Sequence, residues 1–139
     1  MTIKIPLASG ADERVNPNRL FYIRDPLASE LDDEPEAQSV LSFPGATFLC
    51  ATARDTLASI FSEETPLARL SLPNGAPVFV RATAVVDVDD PVSTNPVGTA
   101  TWLVFGAGPR ARRLATRESR AVLSLMWIDL GLVPADHGI

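Results

Sequence analysis

The sequence predicts a mainly β, α+β fold: two tandem repeats of a five-stranded antiparallel β unit plus a C-terminal helix, packed with pseudo-two-fold symmetry. The first observation is a stretch written twice. Residues 69–91 are a degraded copy of residues 4–26 at constant offset: Leu7 falls on Leu72, Gly10 on Gly75, Ala11 on Ala76, Val15 on Val80, and Asp25-Pro26 on Asp90-Pro91. Ile5 with Leu70, Leu20 with Val85 and Ile23 with Val88 match in kind. The second observation is a series of short alternating apolar runs between Gly, Pro and Asn signals, the pattern of strands joined by tight turns. The third is a helical period that follows the fifth such run in each half. The boundaries are 1–62 for the first repeat, 63–66 for a linker and 67–139 for the second, together one compact unit.

In the first half, residues 3–7 alternate as a strand, and Ala8-Ser9-Gly10 turns the chain with glycine free to take positive φ. Residues 13–15 return, Asn16-Pro17-Asn18 turns again, and residues 20–24 (LFYIR) carry the aromatic and β-branched side chains of a third strand. Residues 25–38 read as a long acidic loop, with Asp32, Asp33, Glu34 and Glu36 as a candidate acidic patch. The alternating oxygen ligands and central glycine of a calcium loop are missing from it. Residues 39–43 and 47–50 form the fourth and fifth strands around Pro44-Gly45. Thr52, three residues before Asp55, suggests a helix cap, and Leu57, Ile60 and Phe61 give one apolar stripe.

The second half repeats the order with strands at 68–72, 77–81, 84–88, 101–105 and 110–115, and Asn74-Gly75 is a strong hairpin signal. Thr116 is the expected cap of the second helix, with Glu118 favourably near its positive end. This helix carries two apolar stripes: Val122, Leu125 and Met126, matching the first helix, and Leu123, Trp127 and Leu130. A surface helix needs only one. The second stripe is expected to cover the first repeat or another subunit.

The unit carried by Ile3, Ile5, Leu7, Gly10, Val15-Asn16-Pro17, Leu20, Ile23, Val40, Leu41, Gly45, Leu49 and the helix from Thr52 resembles the small flagellar FlbD-type (SwrD-like) proteins, once in each half. The second half departs from the pattern, with Arg81-Ala82 in place of the Asn-Pro step. The resemblance implies a non-enzymatic modulator.

Chemistry-bearing motifs are scarce. His137 is the only histidine and Cys50 the only cysteine, which argues against a zinc site, an internal disulfide and a Cys-His nucleophile pair. A lone cysteine points by default to a reducing cytoplasm. No serine stands in a G-x-S-x-G context, and no carboxylate pair is singled out. The expectation is therefore no catalytic residue, no metal and no cofactor. No apolar run approaches the ~20 residues of a membrane span. A formal net charge of −5 argues against non-specific nucleic-acid binding.

The strongest local anomaly is the cationic run Arg110, Arg112, Arg113, Arg117 and Arg120, interrupted only by Glu118. With Leu123, Trp127 and Leu130 it forms the candidate partner-binding set. Gly106 and Gly108 before it invite a phosphate-cradle reading, but no Walker lysine follows and position 111 is alanine. Trp102 and Trp127 lie in apolar strings that suit packing better than base stacking. The expected function is a non-enzymatic protein–protein interaction module, structural or adaptor, that self-associates or binds a protein partner. The alternatives are a phage-derived acidic inhibitor or virion-assembly protein, and phosphate or nucleic-acid backbone binding through the arginines.

Overall fold

The computed structural model describes residues 1–139. β1 (Ile3–Pro6) and β2 (Asp12–Val15) form a hairpin whose turn needs Gly10 at φ +94°. A 3-10 turn, Pro17–Arg19, capped by the Asn16 side chain, leads into β3 (Tyr22–Arg24). The helix α1 (Ala28–Asp33) precedes β4 (Ser39–Phe43), β5 (Ala46–Cys50) and α2 (Arg54–Ser62). The chain continues through β6 (Leu67–Ser71), β7 (Pro77–Arg81), a 3-10 turn (Ala82–Ala84) and β8 (Val85–Asp89). β9 (Thr101–Phe105), a 3-10 turn (Gly108–Arg110), β10 (Arg112–Thr116, against the expected strand at 110–115), α3 (Arg120–Asp129) and a last 3-10 turn (Pro134–His137) complete it.

The protein is mainly β, and every strand pair is antiparallel. Its largest sheet has the order β5-β4-β3-β7-β6, so three of its strands come from the first half and two from the second. The other sheets are the β1-β2 hairpin and β10-β9-β8. The expected five-stranded sheet per half is therefore redistributed. The reason is an edge. β3 would end the first half's sheet with unpaired backbone groups, and β7 satisfies them, with Ile23 opposite Phe79. The detached pieces stay tied to their own half. Ala51 N–H donates to the Pro6 carbonyl at 2.9 Å in the first, and Arg117 N–H to the Ser71 carbonyl at 2.9 Å in the second.

Two cores result. Ile5, Leu20, Ile23, Leu41, Leu57 and Phe61 centre the first. Leu70, Val80, Val85, Leu103, Phe105, Leu123 and Trp127 centre the second, which also takes in Phe21 from the first half, 5.3 Å from Phe105 between ring centroids. Each helix is pinned by an i, i+4 pair, Leu57 with Phe61 and Leu123 with Trp127.

That pairing corrects the helix alignment. Leu123 stands where Leu57 does, and Trp127 where Phe61 does, so the expected match of Val122 to Leu57 is one residue out of phase. Two connections account for the slip: β9–β10 is four residues longer than β4–β5, and β8–β9 three shorter than β3–β4, which leaves one. Both expected caps are also displaced. α2 starts after Ala53, whose side chain makes no capping bond, and the Thr52 carbonyl instead accepts from the Ser39 hydroxyl at 2.6 Å. α3 is capped by Ser119, which accepts from Val122 N–H. Thr116 is buried at the end of β10 with its hydroxyl 2.8 Å from that of Thr101, and Thr101 donates to the Glu118 carbonyl. The 25–38 segment is not simply a loop. Glu30 folds back to accept Leu27 N–H at 2.8 Å and grips Arg24 through two bonds of 2.7 and 3.0 Å, which fixes the short α1.

Candidate functional site

The five arginines do not converge on one site. Arg120 is structural: its Nε meets the Asp90 carboxylate at 3.0 Å, Nη1 donates to the Gly138 carbonyl at 2.8 Å, and Nη2 donates to the Val88 carbonyl. It thereby ties the start of α3 to β8 and to the C-terminal turn, where His137 Nδ1 also lies 2.7 Å from the Val85 carbonyl. Arg113 pairs with Asp89 at 2.9 Å and lies over the Trp102 ring, 5.0 Å from its centroid. Arg110, Arg112 and Arg117 take part in no ion pair, and of these Arg110 and Arg117 are exposed. The Glu118 carboxylate turns away from the arginines and accepts Ser71 N–H at 2.8 and 3.2 Å.

A cleft of about 470 Å³ opens beside the hairpin. Its walls are Leu72, Pro73 and Asn74 from the β6–β7 turn and Pro96 and Val97 from the β8–β9 loop, with Trp102 and Arg113 below. The two loops are held together by contact at Gly98, φ +93°, where a Cβ would come within 2.7 Å of the Pro73 carbonyl oxygen. Asn95 fixes the indole. Its Oδ1 accepts both Val92 N–H at 2.7 Å and Trp102 Nε1–H at 2.8 Å. The Arg117 guanidinium reaches over the same turn, with Nη1 3.2 Å from where a Gly75 Cβ would stand. The cleft is thus apolar with a cationic margin. Sequence reasoning flagged Arg113 and Trp102 but not their meeting, because two loops and two strands distant in sequence build the cleft.

α3 separates the remaining candidates. Leu123 and Trp127 are wholly buried, with Trp127 Nε1–H donating to the Ala82 carbonyl at 3.2 Å, and half-buried Leu130 packs on the same core. Leu123 and Trp127 are not free to meet a partner as the helix stands, whereas Leu130 lines a shallow surface pocket with Met126 and Asp129. The outer face carries Val122, Leu125 and Ile128 at 43, 65 and 56% exposure. Asp129 is the only charged residue from 121 to 133. By contrast α2 points Arg54, Asp55, Thr56, Ser59 and Ser62 outward or to its margin, with Ile60 as its one large exposed hydrophobe. The sequence pattern shows both stripes of α3, and the structure exchanges their roles: Val122 and Leu125, aligned with the core stripe of α2, face outward.

The acidic residues are divided too. Asp32, Asp33, Glu34 and Glu36 lie on and after α1 and enter no ion pair, whereas Asp89 and Asp90 at the end of β8 are matched by arginines. No group of three or more His, Cys, Asp or Glu side chains is placed to hold a metal ion. Cys50 is buried, and burial pushes its thiol up to about 12, far from the range of a reactive thiolate. No helix is long and apolar enough to cross a membrane. Neither a family model, nor a curated protein, nor a solved structure matches this chain.

Proposed function

We propose that the protein is a non-enzymatic protein–protein interaction module that self-associates through the outer face of α3. One observation carries this reading. α3 already spends Leu123 and Trp127 on its own core, yet Val122, Leu125 and Ile128 face solvent. A helix apolar on all sides is stable in water only when its second face is covered. The FlbD-type resemblance implies the same kind of non-catalytic role.

We further infer that the scaffold is a tandem duplication divided at residues 63–66. Strand, strand, 3-10 turn, strand, strand, strand, helix is the order in residues 3–62, apart from α1, and again in residues 67–129, apart from a 3-10 turn at Gly108–Arg110. Matching backbone bonds support it: Leu7 N–H to Ala11 and Leu72 N–H to Ala76, Gln38 N–H to Cys50 and Ala100 N–H to Thr116. The β3–β7 pairing has no β8–β2 counterpart, which favours a head-to-tail contact over the expected pseudo-two-fold one.

The experiment is light scattering on the purified chain and on Leu125→Asp and Ile128→Asp. An oligomer reduced to a smaller species by either substitution, with unfolding midpoints unchanged, supports the reading. A wild-type chain that stays monomeric at all concentrations contradicts it.

A further inference from the structure

We propose that the cleft between the β6–β7 turn and the β8–β9 loop receives the α1 segment, residues 27–36, of a second copy of this chain. This contact is independent of the outer face of α3. The argument begins with two surfaces that the fold leaves unsatisfied. α1 buries none of its own residues. Leu27 and Leu31 stand one helical turn apart, 54 and 38% exposed, and Asp32, Asp33, Glu34, Pro35 and Glu36 follow directly. Glu30 is held back by Arg24, so the segment is presented in a fixed pose rather than as a loose loop. The cleft is the complement. Leu72, Pro73, Pro96, Val97 and the Trp102 indole offer an apolar seat; Arg113, shared with Asp89, lines it, and Arg117, free of any ion pair, lies beyond it over the β6–β7 turn.

Size and charge choose the occupant. About 470 Å³ lies within the range of ligand pockets and admits a few side chains rather than a folded surface. Two leucines on one face of a short helix fill such a groove, and the carboxylates beyond them reach the arginines. Both surfaces are exposed within one chain, so neither serves the other there. α1 belongs to the first half and the cleft to the second. Docking one into the other therefore links copies head to tail, a heterologous contact. Opposite charge on the two ends steers the encounter and makes it salt-dependent.

The test uses the full-length protein and a synthetic peptide spanning residues 25–38. Trp102 lines the cleft and Trp127 is buried, so peptide binding should change tryptophan emission in the wild type and not in Trp102→Phe. Affinity should fall as salt rises. It should fall roughly three- to tenfold in the double variant Arg113→Gln, Arg117→Gln, the sum of two exposed charge contacts. Light scattering in a Leu125→Asp background should show residual concentration-dependent association, abolished by Asp32→Asn with Asp33→Asn. Mixing the arginine variant with the aspartate variant should restore a 1:1 complex, because each retains the surface the other lacks. No emission change at millimolar peptide, or binding indifferent to both arginines, overturns the proposal. So does a Leu125→Asp protein that is monomeric at every concentration. Weakened but residual association in Leu125→Asp, with peptide binding intact, supports two separate interfaces.

Discussion

The two halves follow one order of elements and meet different fates. Each ends a strand hairpin with a hydroxyl at the start of one strand bonded to a carbonyl beyond the next, Ser39 to Thr52 in the first and Thr101 to Glu118 in the second. Each then lays a helix on its sheet through one i, i+4 pair. The first half lends β3 and Phe21 to its neighbour, and its helix α2 shows a polar outer face. The second half seals the outer edge of β8 with the C-terminal turn, through Arg120 and His137, and its helix α3 shows an apolar outer face. Architecture lies where the halves agree. Surfaces that want a partner lie where they differ.

Truncating the helix anchors should have the largest effect. Phe61→Ala and Trp127→Ala should each cost about 3–5 kcal/mol in urea unfolding, because each empties the centre of a core. Both tryptophans lie in the second half. Their fluorescence reports that half alone, whereas far-ultraviolet circular dichroism reports both. The β3–β7 pairing and Phe21 weld the cores, so the two transitions should coincide in the wild type. Separate midpoints would break the comparison and make the halves independent domains. Glu118→Ala should cost about 1–2 kcal/mol, since it leaves Ser71 N–H without the carboxylate that ties β6 to β10, a bond with a charged acceptor.

A smaller effect belongs to α1. Hydrogen bonding from Arg24 holds the Glu30 carboxyl below its ordinary range; partial burial works the other way, and Leu27 N–H adds to the lowering. A depressed carboxylate contributes stability that is present above its unfolded pKa and lost as pH falls through the folded value. Glu30→Gln should therefore be less stable at pH 7, and the difference should shrink as pH falls through the carboxylate range. A difference that persists at low pH would mean the side chain acts by shape and not by charge.

Local chemistry was readable in the sequence where it was sufficient. Residues 39–43, 77–81 and 101–105 are strands at the expected bounds, and Gly10 and Gly75 take the positive φ their turns require. What pairs with a strand's free edge is not a local property, so the transfer of β6 and β7 to the first sheet left no trace in the alternation. Thr52 and Thr116 look like caps because hydroxyls suit caps, but one offers only its carbonyl and the other spends its hydroxyl on a neighbouring strand. α1 buries no residue and is held by Arg24, six residues from Glu30, which periodicity does not register. The helix phase was lost to the unequal β8–β9 and β9–β10 connections. The arginine run looked like one site because sequence proximity hides that Arg120 faces β8 while Arg113 faces Trp102.

The claim that the outer face of α3 is an interface meets its most direct test in the mass of wild-type and Leu125→Asp protein by light scattering, with urea unfolding run alongside. Leu125 is 65% exposed, so its substitution should change stability by no more than about 0.5 kcal/mol. The account predicts a wild-type oligomer, a smaller species for the variant and equal unfolding midpoints. Equal masses for the two proteins, or a variant that loses mass only by unfolding, would contradict it.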